Sequence, residues 1–254
     1  MGISPSVLKE HRAAGFAAAA ACVVTWFIVA PHLPRVGLWP AIVIVSVAVM
    51  PATLGLVLIA LPLWPKRRLL PAVVALALLA LLFSVLGWGL AANFAKLWAA
   101  VFAGWAFLRL FEQLSWVVLV AFVIPAVDAV SVWRGPTKAI TAHHFEVYTA
   151  VAIAFLVPGG GAAYLGPPDV LFYALFLAAA ARWHLRVFWT WLAMTAMYGF
   201  TVVLANALDV GGLPALPFLS FGFLVANADL LLARRRSAGS SSSPSSSGDG
   251  PASS

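Results

Sequence analysis

Charge is scarce in this sequence: 9% of its 254 residues are Asp, Glu, Lys or Arg, against about a quarter in an ordinary soluble domain. Water therefore cannot be the main solvent of this chain. Acidic residues number 8 against 15 basic ones, and the bases sit in small groups at the ends of apolar runs. They read as determinants of membrane topology rather than as a nucleic-acid face. Cysteine is limited to Cys22, inside the first apolar run, which excludes an intrachain disulfide and a cysteine-built metal site. His143, His144 and Glu146 do not supply another metal site, because adjacent histidines cannot share a helix face and no third ligand has suitable spacing. No metal and no cofactor is implied.

What the chain has is apolar runs, one after another, with 63% of residues hydrophobic. A spanning helix needs about 20 such residues, and lipid leaves the backbone few other ways to satisfy its hydrogen bonds. The expected fold class is all-α, a polytopic transmembrane helix bundle with spans over 13–30, 41–62, 69–87, 90–108, 115–133, 163–181, 187–207 and 213–232. Gly87-Trp88-Gly89 serves as a turn between the third and fourth, although Asn93 and Lys96 fall in the first turns of the latter. Val147–Val157, closed by Pro158-Gly159-Gly160-Gly161, is short for a span. It is expected to be an interfacial or re-entrant helix with the glycines as a flexible joint; if it crosses, the spans number nine.

Counted on eight spans, Lys9, Arg12, Lys66, Arg67, Arg68, Arg109, Arg182, Arg186, Arg234, Arg235 and Arg236 share one side with the N-terminus, and Arg35, Lys96, Arg134 and Lys138 lie opposite. By the positive-inside rule both termini are expected in the cytoplasm. Trp39, Trp64, Trp88, Trp133 and Trp183 fall near span ends, as an interfacial belt does. The organisation expected is a scaffold of helices over 1–112, a second helical unit over 113–236, and a Ser/Gly/Pro tail over 237–254 too polar to order.

Carboxylates inside a bilayer cost several kcal/mol each, so Asp128 and Asp169 need a reason. Asp128, in Pro125-Ala126-Val127-Asp128-Ala129, is too far from Arg134 for a short side chain to reach the interface. It is expected to face protein or internal water, and bonding to a neighbouring helix is the bland explanation. Asp169 follows Gly166-Pro167-Pro168, where an Asp at a helix start serves the free backbone N–H groups and the helix dipole. At the last span, Leu213-Pro214-Ala215-Leu216-Pro217 lacks two backbone donors and is expected to leave an irregular, accessible backbone.

In this order the three segments resemble the motifs of the presenilin and signal peptide peptidase family of intramembrane aspartyl proteases. That family pairs a Tyr-Asp motif with a Gly-x-Gly-Asp motif and adds Pro-Ala-Leu in the last helix. Val127-Asp128 with Gly135-Pro136 after it resembles the first, Leu165-Gly166-Pro167-Pro168-Asp169 the second, and Pro214-Ala215-Leu216 with Phe221-Gly222 the third. The similarity covers roughly residues 115–232. It implies a presenilin-like fold of the prokaryotic type in a cytoplasmic membrane, Asp128 and Asp169 as the catalytic pair, and transmembrane peptides or proteins as substrates. It also implies a substrate-binding role for Gly166, Pro167, Pro168, Pro214, Ala215 and Leu216.

Two departures bear on activity. Val127 stands where the family has Tyr, and Pro168 where it has the second Gly. A proteolytically inactive relative acting as a membrane scaffold and a proton-coupled transporter using intramembrane carboxylates are the alternative readings. The transporter predicts unpaired aspartates along a water path.

Overall fold

Long runs of Leu, Ala, Val and Phe leave the backbone to bond within itself, and the chain is accordingly helical. The computed structural model describes residues 5–134, 145–210 and 213–240. The first helix, α1 (Pro5–Val29), is followed by α2 (Leu38–Ile44), which passes through a π turn (Val45–Val49) into α3 (Met50–Ala60). Pro51 sits just beyond that turn; a proline ring crowds the carbonyl four residues back, and a widened turn relieves the crowding. Then come α4 (Leu69–Val85), α5 (Gly89–Phe107), α6 (Leu114–Arg134) and a short α7 (Phe145–Val151). Strands β1 (Ile153–Leu156) and β2 (Ala162–Leu165) lead into α8 (Pro167–Arg182), α9 (Val187–Ala207) and α10 (Leu216–Ser240).

Among the described residues, 6 helical segments are long and apolar enough to cross a membrane: Ala13–His32, Leu38–Leu63, Gly89–Leu110, Leu114–Ser131, Val187–Ala207 and Leu216–Arg234. The other two expected spans are shorter, α4 with 17 residues and α8 with 16. Their surroundings differ. Helix α4 packs along α5 and turns Val74, Leu78, Leu81 and Val85 outward. Helix α8 is the axis of the bundle, enclosed by α5, α6, α9 and α10, and Tyr173 to Ala180 have no exposed surface. Gly104 lets α5 approach it: a Cβ at that position would overlap the carbonyl oxygen of Leu171.

Several expectations need correction. Residues 147–157 do not form one helix: α7 stops at Val151 and the chain turns into the antiparallel hairpin β1–β2, with Ile153 opposite Leu165 and Leu156 opposite Ala162. Ile153 and Phe155 are buried while Ala154 and Leu156 are half-buried, the alternation of a strand, and the glycines make the turn. The fold is thus a helical bundle carrying one hairpin, and the span expected at 163 starts as strand, with its helix beginning at Pro167. The glycines are not a loose joint either. Gly159, at φ +83°, donates its N–H to Ala30 at 3.0 Å, and a side chain there would strike Arg35.

Helix α10 runs to Ser240, four residues into the tail expected to be disordered. Residues 241–254, like Gly135, Pro136, Lys138, His143, His144 and Gly212, lie outside the described residues. Glu146 is exposed in the first turn of α7.

Candidate active site

Prolines at a helix start remove donors that would otherwise go unbonded, so few backbone N–H groups remain there for a side chain to take. Helix α8 begins with Pro167 and Pro168, and helix α10 has Pro217 in its first turn. At each start one remaining N–H meets an aspartate. The carboxylate of Asp169 accepts the N–H of Gly166 at 2.9 Å, closing the first turn of its own helix. The carboxylate of Asp128 accepts the N–H of Leu216 at 3.0 Å, across the interface from α6 to α10. Both acids therefore sit at the positive ends of helix dipoles.

The two carboxyl groups are close enough for their charges to interact. Both are half-buried. Asp128 faces protein as expected, three residues after Pro125, which interrupts the hydrogen-bond ladder of α6. Val127 points outward with 57% of its surface exposed.

Pro168 is exposed at the second position of α8, where its missing N–H costs no intrahelical bond. Gly166 has an ordinary extended conformation, φ −67° and ψ 150°, as a residue before proline must. Its lack of a side chain matters more, because a Cβ would stand 3.2 Å from Oδ2 of Asp169. Pro214, Ala215 and Leu216 are buried, which corrects the expectation of an accessible backbone; Leu213 to Ala215 is non-helical, and the Ala215 carbonyl accepts the first helical bond of α10 from Leu219 at 3.0 Å.

The structure thus brings together Asp128, Asp169, Gly166 and Leu216, with Pro167, Pro214 and Ala215 flanking them. It also assembles residues that sequence reasoning passed over. The 4 tyrosines of the chain form two ring pairs, each with one member linked to Asp169. Tyr198 donates its hydroxyl to the Asp169 carbonyl at 2.6 Å and stacks on Tyr173 with ring centres 5.7 Å apart. Tyr173 shares a 2.8 Å hydrogen bond with Thr195. Tyr148 lies within electrostatic reach of Asp169 and packs edge-on against Tyr164. Four tyrosines in so apolar a chain were the available signal.

Asn93 and Lys96, the awkward polar pair at the start of α5, fasten the hairpin that leads into Gly166. The Asn93 side chain accepts the N–H of Ala154 at 2.8 Å and donates to its carbonyl at 3.0 Å, completing the outer edge of β1 as a third strand would. Trp26 donates to the Leu156 carbonyl on the same edge at 3.0 Å. Lys96 donates to Ala150 and Ala152, closing the end of α7. Among the described residues no cluster of three His, Cys, Asp or Glu side chains is placed to hold a metal. The sequence matches no family model, and no curated protein matches it.

Proposed function

We propose that the protein is an intramembrane aspartyl protease that hydrolyses peptide bonds in transmembrane segments. The observation that carries this reading is the meeting of three segments at one point: Asp128 takes the Leu216 N–H of the Pro-Ala-Leu segment while its charge reaches Asp169 beside Gly166. Two carboxyls within electrostatic reach of each other favour a state with one proton between them, leaving one as base and one as acid. The base takes a proton from water as it attacks the scissile carbonyl; the acid stabilises the developing oxyanion and then helps protonate the leaving amine. The acid and base roles belong to the pair rather than to a named aspartate, because the pair titrates as a unit.

The non-helical stretch Leu213–Ala215 lies on the Asp128 side of the pair and β2 on the Asp169 side. An unwound substrate lies extended beside β2, whose partly exposed edge favours an extended chain over a helix. In this reading α4 and α8 also cross the bilayer, giving eight crossings, and the basic side with both termini is cytoplasmic. Pro168 is compatible with activity because its position in α8 requires no N–H. A proton path through unpaired carboxylates is less well supported, since each aspartate accepts a backbone N–H.

The test is cleavage of a single-span peptide by the full chain in proteoliposomes. Asp128→Asn and Asp169→Asn should each lower the rate by at least about 10²-fold. The amide oxygen introduced at position 128 still accepts the Leu216 N–H, so the fold is retained. Wild-type rates from either folded variant would refute the dyad.

A further inference from the structure

The antiparallel pair α6 and α10 carries the aspartate site at one end and an unfilled cleft at the other. The cleft, of about 880 Å³, is walled by Leu114, Val118 and Phe122 of α6 and by Leu224, Ala228 and Leu231 of α10. These side chains recur at three- and four-residue spacing, so each helix presents one apolar ridge over about two turns, roughly 12 Å. Phe122 is 65% exposed, so the cleft opens outward. Within a bilayer such a void fills with hydrocarbon, because an empty one forfeits dispersion contacts along its whole lining.

The mouth of the cleft distinguishes it from a plain lipid-facing groove. Glu112, Gln113, Ser115 and Arg234 line it together with Trp183. Arg234 is held there by donating to the Trp183 carbonyl at 2.5 Å, which leaves further guanidinium N–H groups for a ligand. The turn bearing Glu112 is fixed as well: Arg182 lies over the Trp183 ring and donates to the carbonyls of Leu108 at 3.1 Å and Phe111 at 2.8 Å. Ser115 donates to the Gln113 side chain at 3.3 Å. Among the described residues Glu112 has neither an ion pair nor a side-chain hydrogen bond.

A guanidinium and an unpaired carboxylate at one apolar mouth complement a headgroup that carries an anion and a hydrogen-bonding cation. We propose that the cleft is a binding site for one phospholipid with a primary-amine headgroup, with an acyl chain between α6 and α10, its phosphate at Arg234 and its ammonium at Glu112. A quaternary ammonium cannot donate to Glu112, and a glycerol headgroup brings no positive charge to it. The site is independent of the proteolytic reading and requires only that the bundle span a bilayer.

Native mass spectrometry of the full chain in detergent, titrated separately with dioleoyl phosphatidylethanolamine, phosphatidylcholine and phosphatidylglycerol, tests this. The ethanolamine lipid should bind about tenfold more tightly than either other lipid, the size of one charge-assisted hydrogen bond. Glu112→Gln, a surface change that leaves the bundle intact, should remove its advantage over phosphatidylcholine. Arg234→Gln should weaken all three lipids, and Ala228→Phe, which fills the cleft, should do the same. Equal binding of the three lipids, tightest binding of phosphatidylglycerol, or an ethanolamine preference that survives Glu112→Gln overturns the proposal. A single-span peptide that displaces the ethanolamine lipid and is itself lost in Ala228→Phe overturns it too, by assigning the cleft to peptide.

Discussion

Replacing Asn93 by Leu tests how the hairpin is held. Asn93 has 8% of its surface exposed and makes two hydrogen bonds to Ala154, at 2.8 and 3.0 Å. Leucine has nearly the same size but neither pairs with the backbone nor leaves room for water. Each orphaned backbone group costs about 1–3 kcal/mol, partly offset by about 1 kcal/mol of added apolar burial. The hairpin should therefore open more easily by about 2–4 kcal/mol, while Trp26 and Lys96 keep its two ends attached. At 1.4 kcal/mol per factor of ten, amide exchange through local opening should accelerate at least about 30-fold.

Hydrogen–deuterium exchange of a peptide covering residues 153–165, from the full chain in detergent, reads this directly. Asn93→Asp should lie between wild type and Asn93→Leu, since it keeps an acceptor for the Ala154 N–H but faces the carbonyl with a second oxygen. Because β2 runs straight into Gly166, the proposed peptide cleavage should fall in parallel. Exchange within twofold of wild type in folded Asn93→Leu would refute the argument that Asn93 holds β1.

Asn227 is fully buried and joins α10 to α9 through Thr190 at 2.8 Å and the Arg186 N–H at 3.0 Å; Asn227→Leu should cost about 2–4 kcal/mol, measured as a lower unfolding midpoint in detergent. Gly104→Ala should cost about 1–3 kcal/mol by pushing α5 off α8, whereas Gly15→Ala, with nothing near its added carbon, should be neutral or stabilise α1 by up to about 1 kcal/mol; equal midpoints for the two variants would contradict the close packing. The proposed peptide cleavage should show a bell-shaped dependence on pH. The rate falls on the acid side when both carboxyls are protonated and no base remains, and on the alkaline side when both ionise and no acid remains, so a flat profile would count against the shared proton.

Helices were legible wherever apolar runs had to satisfy their own backbone, and six of the eight expected spans have the length and composition to cross a membrane. The hairpin was not. A window from Val147 to Val157 has the composition of a short apolar helix, and the residues that complete its outer edge, Trp26 and Asn93, lie far away in sequence. The enclosure of α8 was equally illegible, because a buried helix and a lipid-facing helix look alike when both lining and solvent are apolar.

The two aspartates could be singled out because a carboxylate in apolar sequence is costly wherever it sits, and each had an adequate local explanation. The sequence by itself determined that these groups had to be satisfied inside the membrane-embedded part of the chain, and that helices would carry them. Tertiary structure decided how: Asp169 caps its own helix, while Asp128 takes the N–H of Leu216 from a helix 88 residues away in sequence. That pairing depends on the packing of α6 against α10, a matter of which faces meet, and side-chain periodicity in a uniformly apolar chain does not encode it.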